Sequence, residues 1–120
     1  MEKQAKILVV EDEENVRLLI SEELQDMGHI VETASNAEEA LKKLQEKSFD
    51  LVTIDIEMPG MNGIELAGTL RQKFPRIKII LLTAYSHYKY DLASWAADAY
   101  IVKSPDLEEL KRTVTKLLSM

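Results

Sequence analysis

Residues 50–63 read DLVTIDIEMPGMNG. Leu51, Val52, Thr53 and Ile54 form a short, largely β-branched apolar run, the pattern of a strand buried on both faces. The run ends on a carboxylate, Asp55. Glu57, a Met58-Pro59-Gly60 turn and an Asn62-Gly63 pair follow at once. A buried strand that stops at an acid and breaks sharply behind it delivers a charge to a sheet edge.

The same pattern repeats along the chain. KILVV (6–10) is a first buried strand, and HIVETA (29–34) a second, edge-like one. IKIILLT (77–83) and AYIV (99–102) are the fourth and fifth. Between them lie helical stretches. Residues 14–28 place Val16, Leu19, Ile20, Leu24 and Met27 on one face, with Gly28 as the stop. Residues 35–47 open on a capping box of Ser35 with Glu38 and carry Ala37, Ala40, Leu41 and Leu44 inward. Residues 64–74 space Ile64, Ala67, Leu70 and Phe74 at helical intervals. A fourth helix is expected within 86–98. The last one has Ser104 as N-cap and Pro105 at its first position, with Leu107, Leu110, Val114 and Leu117 facing inward. Strict alternation of strand and helix implies right-handed βαβ units, a parallel sheet and helices on both faces. The expectation is an α/β, doubly wound single domain over residues 1–120.

Composition narrows the chemistry. With 46% hydrophobic and 30% charged residues the chain can fill a core and remain hydrated. No cysteine is present, which excludes disulfides, thiolate metal sites and a cysteine nucleophile. A net charge of −6 argues against direct nucleic-acid binding, which needs clustered Lys and Arg. No apolar run is long enough to span a bilayer and no charged-then-apolar leader is found, so no membrane partner and a cytoplasmic location are expected.

In a doubly wound sheet the ligand site lies beyond the carboxyl ends of the strands. Glu11 and Asp12 follow the first strand, Asp55 ends the third, Thr83 ends the fourth, and Lys103 follows the fifth. Each is ordinary alone. Glu11 and Asp12 suit a first helical turn, Asp55 a turn start, Thr83 a strand and Lys103 a solvated surface. Together they gather three carboxylates, a hydroxyl and an ammonium on one rim. Clustered carboxylates repel unless a cation is near, and Mg²⁺ accepts few protein carboxylates while leaving room for a phosphate oxygen. A carboxylate can attack phosphorus, and Thr83 and Lys103 supply the donor and positive charge such a group needs. Asp55 thus reads as a phosphate acceptor.

ILVVEDE (7–13), DIEMPGMNG (55–63), LLTAY (81–85) and DAYIVKSPD (98–106) together resemble the receiver domain of two-component response regulators, the CheY-like family, along the whole chain. The resemblance implies a flavodoxin-like (βα)5 fold with strand order 2-1-3-4-5. It implies that Asp55 is phosphorylated by a histidine kinase or phosphotransfer protein, with Mg²⁺ held by Asp12, Asp55 and the backbone carbonyl of Glu57. It further implies that Lys103 pairs with the phosphoryl group, that Thr83 bonds a phosphoryl oxygen, and that Tyr100 is the switch aromatic. The changed surface would be that of helix four, strand five and helix five, engaging a downstream target or output domain. The protein is read as a signalling switch rather than an enzyme, a monomer or a weak phospho-dependent dimer.

Three departures shape the expectations. Glu11 stands where the family more often has aspartate, so its metal contact is expected through water. Ser104 separates Lys103 from Pro105, so the Lys103–Ser104 peptide is expected to be trans, since cis before a non-proline costs about 3 kcal/mol. Tyr85, Tyr88, Tyr90, Trp95 and Tyr100 crowd the stretch after Thr83. Trp95 is assigned to packing; the cluster otherwise suits a partner surface, and His87 a surface loop. Glu57 and Tyr85, two residues beyond Asp55 and Thr83, are expected to tune access of water to the phosphoryl group. Two rival readings are weaker. An aspartate-dependent phosphatase would need a second aspartate in the Asp55-Ile56-Glu57 motif and a cap. A receiver-like interaction module not regulated by phosphorylation typically loses an acid or the lysine, and none is lost here.

Overall fold

A computed structural model describes residues 4–85 and 96–120. The strands are β1 (Lys6–Val10), β2 (Ile30–Ala34), β3 (Leu51–Asp55), β4 (Lys78–Thr83) and β5 (Ala99–Val102). The helices are α1 (Glu14–Asp26), α2 (Ala37–Glu46), α3 (Gly63–Lys73) and α4 (Glu108–Leu118). All strand pairings are parallel, in the order β2-β1-β3-β4-β5. The expected fourth helix, Trp95 and His87 lie outside the described residues.

The period of two in the strands builds two cores. Leu8, Val10, Val52, Ile54, Ile79 and Leu81 point to one face, where Ala40 and Leu44 of α2 and Leu66, Ala67 and Leu70 of α3 cover them. Ile7, Val9, Leu51, Ile80 and Leu82 point to the other, covered by Ile20 and Leu24 of α1 and Leu110, Val114 and Leu117 of α4. Both faces being covered explains why β1, β3 and β4 are almost wholly apolar. β2 is an edge, with Ile30 exposed.

Several local expectations shift. Leu19 is 47% exposed beside Leu18, because the buried stripe of α1 runs through Ile20 and Leu24. The cap of α2 is Asn36, whose Oδ1 accepts from the Glu39 amide at 2.8 Å, not Ser35 with Glu38. Ser35 instead donates its N–H to Glu39 Oε1 at 2.6 Å. The frame moves by one residue because asparagine caps as well as serine and sits closer to the apolar stripe.

The last helix begins at Glu108, so neither Ser104 nor Pro105 opens it. Ser104 Oγ accepts from the Asp106 amide at 3.2 Å, and Asp106 Oδ1 from the Glu108 amide at 2.9 Å. Two side-chain turns therefore compete with the helix over this stretch. The Lys103–Ser104 peptide is trans, as expected.

Candidate functional site

The carboxyl ends of β1, β3, β4 and β5 meet at one rim. Asp55 is fixed on both sides: its own strand pairs with β4 in a register that sets it against Leu82, and Ile56 N–H donates to Leu82 C=O at 2.8 Å. Thr83 is thereby one step beyond the partner of Asp55. The chain after Asp55 folds back on itself. Met58 and Gly63 amides both donate to the Ile56 carbonyl, at 3.1 and 3.0 Å. Gly60 takes φ +78° in the turn, a conformation open to glycine. A Cβ on Gly63 would lie 2.7 Å from Ile56 Cα, so α3 starts hard against the acid's own backbone.

Glu11 and Asp55 are 1% and 2% exposed, whereas Asp12 is open to solvent. Carboxylate oxygens of Glu11, Asp12 and Asp55 lie within 4.8 Å of one another. Lys103 Nζ stands 3.0 Å from Glu11 Oε1 and 3.1 Å from Asp55 Oδ1. Among the described residues, Glu11 Oε1 meets no donor with hydrogen-bond alignment, so its contact with Lys103 is an ion pair without directional bonding. β5 carries the lysine to this place, with Lys103 N–H donating to Thr83 C=O at 2.6 Å. Burial first, and then the neighbouring Glu11 carboxylate, push the Asp55 carboxyl up to about 7, with Lys103 opposing them. Burial pulls the Lys103 ammonium down, but Glu11 and Asp55 outweigh it and raise it.

This donor set fits a hard divalent cation. It offers three carboxylates close together with a single paired lysine, which compensates the buried Asp55 only in part. The Glu57 amide donates to Asp55 Oδ1 at 3.3 Å, which sets the backbone of Glu57 beside the acid.

Thr83, Tyr85 and Tyr100 join the site through Glu57. Thr83 Oγ1 donates to Glu57 Oε2 in a short hydrogen bond, and the Ala84 amide donates to Glu57 Oε1 at 2.9 Å. Thr83 Oγ1 accepts from the Tyr85 amide at 3.1 Å, and Tyr100 Oη donates to the Tyr85 carbonyl at 2.7 Å. The half-buried Tyr100 ring packs against the core on the α2/α3 face.

Two side-chain anchors escaped the sequence reading, one at the rim and one at the amino end of β5. Arg17 Nη1 donates to the carbonyls of Glu11 at 2.9 Å and Asp12 at 3.4 Å and so holds the acidic loop. The only available signal was a cation one turn into the helix after two acids. Arg71 binds the Ala96 carbonyl at 2.9 Å and Asp98 Oδ2 at 2.7 Å, fixing the approach to β5 from α3. Its partners are 25 and 27 residues away, a separation that no sequence pattern marks.

A family model for the response regulator receiver domain matches residues 7–115. The chain belongs to the response regulator receiver domains. It is 38% identical over 115 residues to the two-component response regulator PhoP of Pseudomonas aeruginosa, covering 94% of this chain and 51% of that protein. It is 37% identical over 116 residues to the alkaline phosphatase synthesis transcriptional regulatory protein PhoP of Bacillus subtilis, covering 94% of this chain and 48% of that one. The receiver domain thus spans about half the length of these curated relatives. Among solved structures it is 57% identical to response regulator protein TrrA of Thermotoga maritima in complex with Mg²⁺–BeF. The TM-score there is 0.91, with 98% of this chain and 99% of that one covered. TrrA bound to the histidine kinase ThkA superposes with a TM-score of 0.89, at 57% identity and the same coverage. Among the described residues, no helix of this receiver domain is long and apolar enough to cross a membrane.

Proposed function

We propose that this receiver domain, read as one unit over residues 1–120, accepts a phosphoryl group on Asp55 from a histidine kinase or phosphotransfer protein. We propose further that it changes its binding surface in response. The observation that carries this reading is the pairing of a buried acid at a strand end with Lys103 at 3.1 Å and two further carboxylates alongside. A structural acid gains nothing from such company; a nucleophile needing ionisation and charge relief does.

Asp12, Asp55 and the Glu57 carbonyl would hold Mg²⁺, with Glu11 contributing through water. Bound there, the ion would supply positive charge for the carboxylates and the incoming phosphoryl oxygens. The chain's own groups do the rest. The fixed β3–β4 register holds Asp55 rigidly, so that little reorientation precedes attack. One Asp55 carboxylate oxygen attacks phosphorus. The bond from phosphorus to the donor imidazole nitrogen breaks with its electron pair on nitrogen, which takes a proton from solvent. Lys103 opposes the upward pull of burial and Glu11 on Asp55, favouring its ionised form beforehand, and afterwards pairs with a phosphoryl oxygen. Thr83 donates its hydroxyl to another. Glu57 and Tyr85 flank the group and govern the entry of water.

The similar protein TrrA is seen with Mg²⁺–BeF and with a histidine kinase, which supports the same donor and cation here. The switch surface is proposed at Tyr100, β5 and α4 with the segment before β5, presented to a downstream protein or output domain. The assembly is taken as a monomer or a weak phospho-dependent dimer, in the cytoplasm, acting as a signal carrier and not as an enzyme. Reduction with borohydride after treatment with acetyl phosphate and Mg²⁺ tests the acceptor, because it converts an aspartyl phosphate to homoserine. Homoserine at position 55 is the expected result; homoserine only at another aspartate, or no reduced residue at 55, overturns the assignment.

A further inference from the structure

Resting on Asp55 as phosphoacceptor, we infer that the Glu57 carboxylate stands in for the phosphoryl group before it arrives. In this role it acts as a latch that the phosphoryl group must displace. The geometry points to it directly. Oε2 accepts from the Thr83 hydroxyl and Oε1 accepts from the Ala84 amide at 2.9 Å. These are the two donors at the end of β4, the strand whose register puts Thr83 one step beyond the residue facing Asp55. An anion on Asp55 needs donors at this rim, and a different anion already holds them.

The latch is built from the site's own backbone. Glu57 is two residues from Asp55, and its amide donates to Asp55 Oδ1 at 3.3 Å, so its side chain is delivered to β4 from the same turn. Charge-assisted bonds to a carboxylate are among the stronger ones in proteins. A phosphoryl group brings more negative charge and three acceptor oxygens to the same donors. Both anions cannot hold Thr83 and Ala84 together, and like charge drives the carboxylate away. Glu57 is therefore a positioning residue acting through Thr83. It keeps the β4 end in the unphosphorylated arrangement and sets how far phosphorylation must push it.

The consequence reaches beyond the rim. Thr83 Oγ1 also accepts from the Tyr85 amide, and the Tyr85 carbonyl accepts from Tyr100 Oη. Releasing Thr83 from Glu57 frees the first link of a route that ends on the face of β5.

Titration of the protein with Mg²⁺ and beryllofluoride, the tetrahedral mimic of an aspartyl phosphate, reads the competition. Glu57→Ala is expected to bind the mimic about ten-fold tighter than the wild type, and Glu57→Gln, which keeps one acceptor, by a smaller factor. In the Thr83→Ala background, where only the Ala84 donor is contested, the gain from Glu57→Ala is expected to fall to about three-fold. In the metal-free protein, the Ala84 amide proton of the wild type is expected downfield, as for an amide bonded to a carboxylate, and upfield in Glu57→Ala. An unchanged or weaker affinity in Glu57→Ala overturns the latch, as does an Ala84 proton that does not move. A gain of the same size with and without Thr83 also overturns it, since that is simple charge repulsion. If the wild type binds no beryllofluoride and takes no phosphoryl group, the acceptor reading itself fails and takes the latch with it.

Discussion

Asp55 is a buried acid set beside Glu11 and Lys103. Its folded carboxyl titrates at about 7 against an ordinary 3.8, so between these values the folded protein holds a proton that the unfolded chain has lost. The unfolded state binds fewer protons there, so stability falls as pH rises from 3.8 to about 7 and stays lost above it. In metal-free buffer Asp55→Asn is expected to match the wild type at about pH 4 and to exceed it by about 4 kcal/mol at about pH 8. Urea unfolding of both proteins across that range checks this, and curves that stay parallel count against it. Added Mg²⁺ is expected to close the gap by stabilising the wild type alone. Lys103 is the opposite case: among the described residues it is the cation paired with both buried acids. Its removal leaves Glu11 and Asp55 facing each other unneutralised. Lys103→Ala is expected to accept a phosphoryl group slowly and then to show less than half of the wild-type amide-shift change in β5. A full change there would contradict the role given to Lys103.

At the scale of the element, the turn after β3 is the sensitive part. Gly63 opens α3 where no Cβ fits, 2.7 Å from Ile56 Cα, while Asn62 and Glu65 form the capping box that fixes the helix start. Gly63→Ala must push α3 away from β3 and move Asp55 with it. A loss of about 2–4 kcal/mol in unfolding free energy is expected, with weakened Mg²⁺ binding, whereas Gly68→Ala, which meets nothing, is expected to be neutral or stabilising. Equal stability of the two variants contradicts the packing argument. What the sequence made legible follows the same physics. Apolar strands closed by acids, a glycine at the end of α1 and inward leucines at 110 and 117 are local patterns, and they fixed elements and core. The cap at Asn36 rather than Ser35, and the start of α4 at Glu108, depend on which of several adjacent polar side chains wins the same amides. Pattern alone does not rank such near-equal competitors. Leu19 reads as core by spacing, but α1 buries the stripe next to it.

Over the whole molecule, the candidate site was legible because topology collects it. Glu11, Asp12, Asp55, Thr83 and Lys103 sit at strand ends, and a parallel sheet brings all its carboxyl ends to one rim. The reach of the Glu57 side chain to Thr83 and Ala84, the grip of Arg17 on the acidic loop and the anchor of Arg71 at Ala96 and Asp98 were not legible. They depend on side-chain length and direction across 25 or more residues in two cases and on a helix's docking angle in the third. Through Thr83 and Tyr85 the Glu57 contact reaches Tyr100 in β5, so phosphorylation at one residue would act along the sheet edge. At this rim Asp55 is proposed to take up one phosphoryl group with the help of a divalent cation. The most direct measurement is intact mass after incubation with acetyl phosphate, with and without Mg²⁺, beside Asp55→Asn. The account predicts a gain of about 80 Da, one phosphoryl group, only with Mg²⁺ and only in the wild type. No gain, or the same gain in Asp55→Asn, would contradict it.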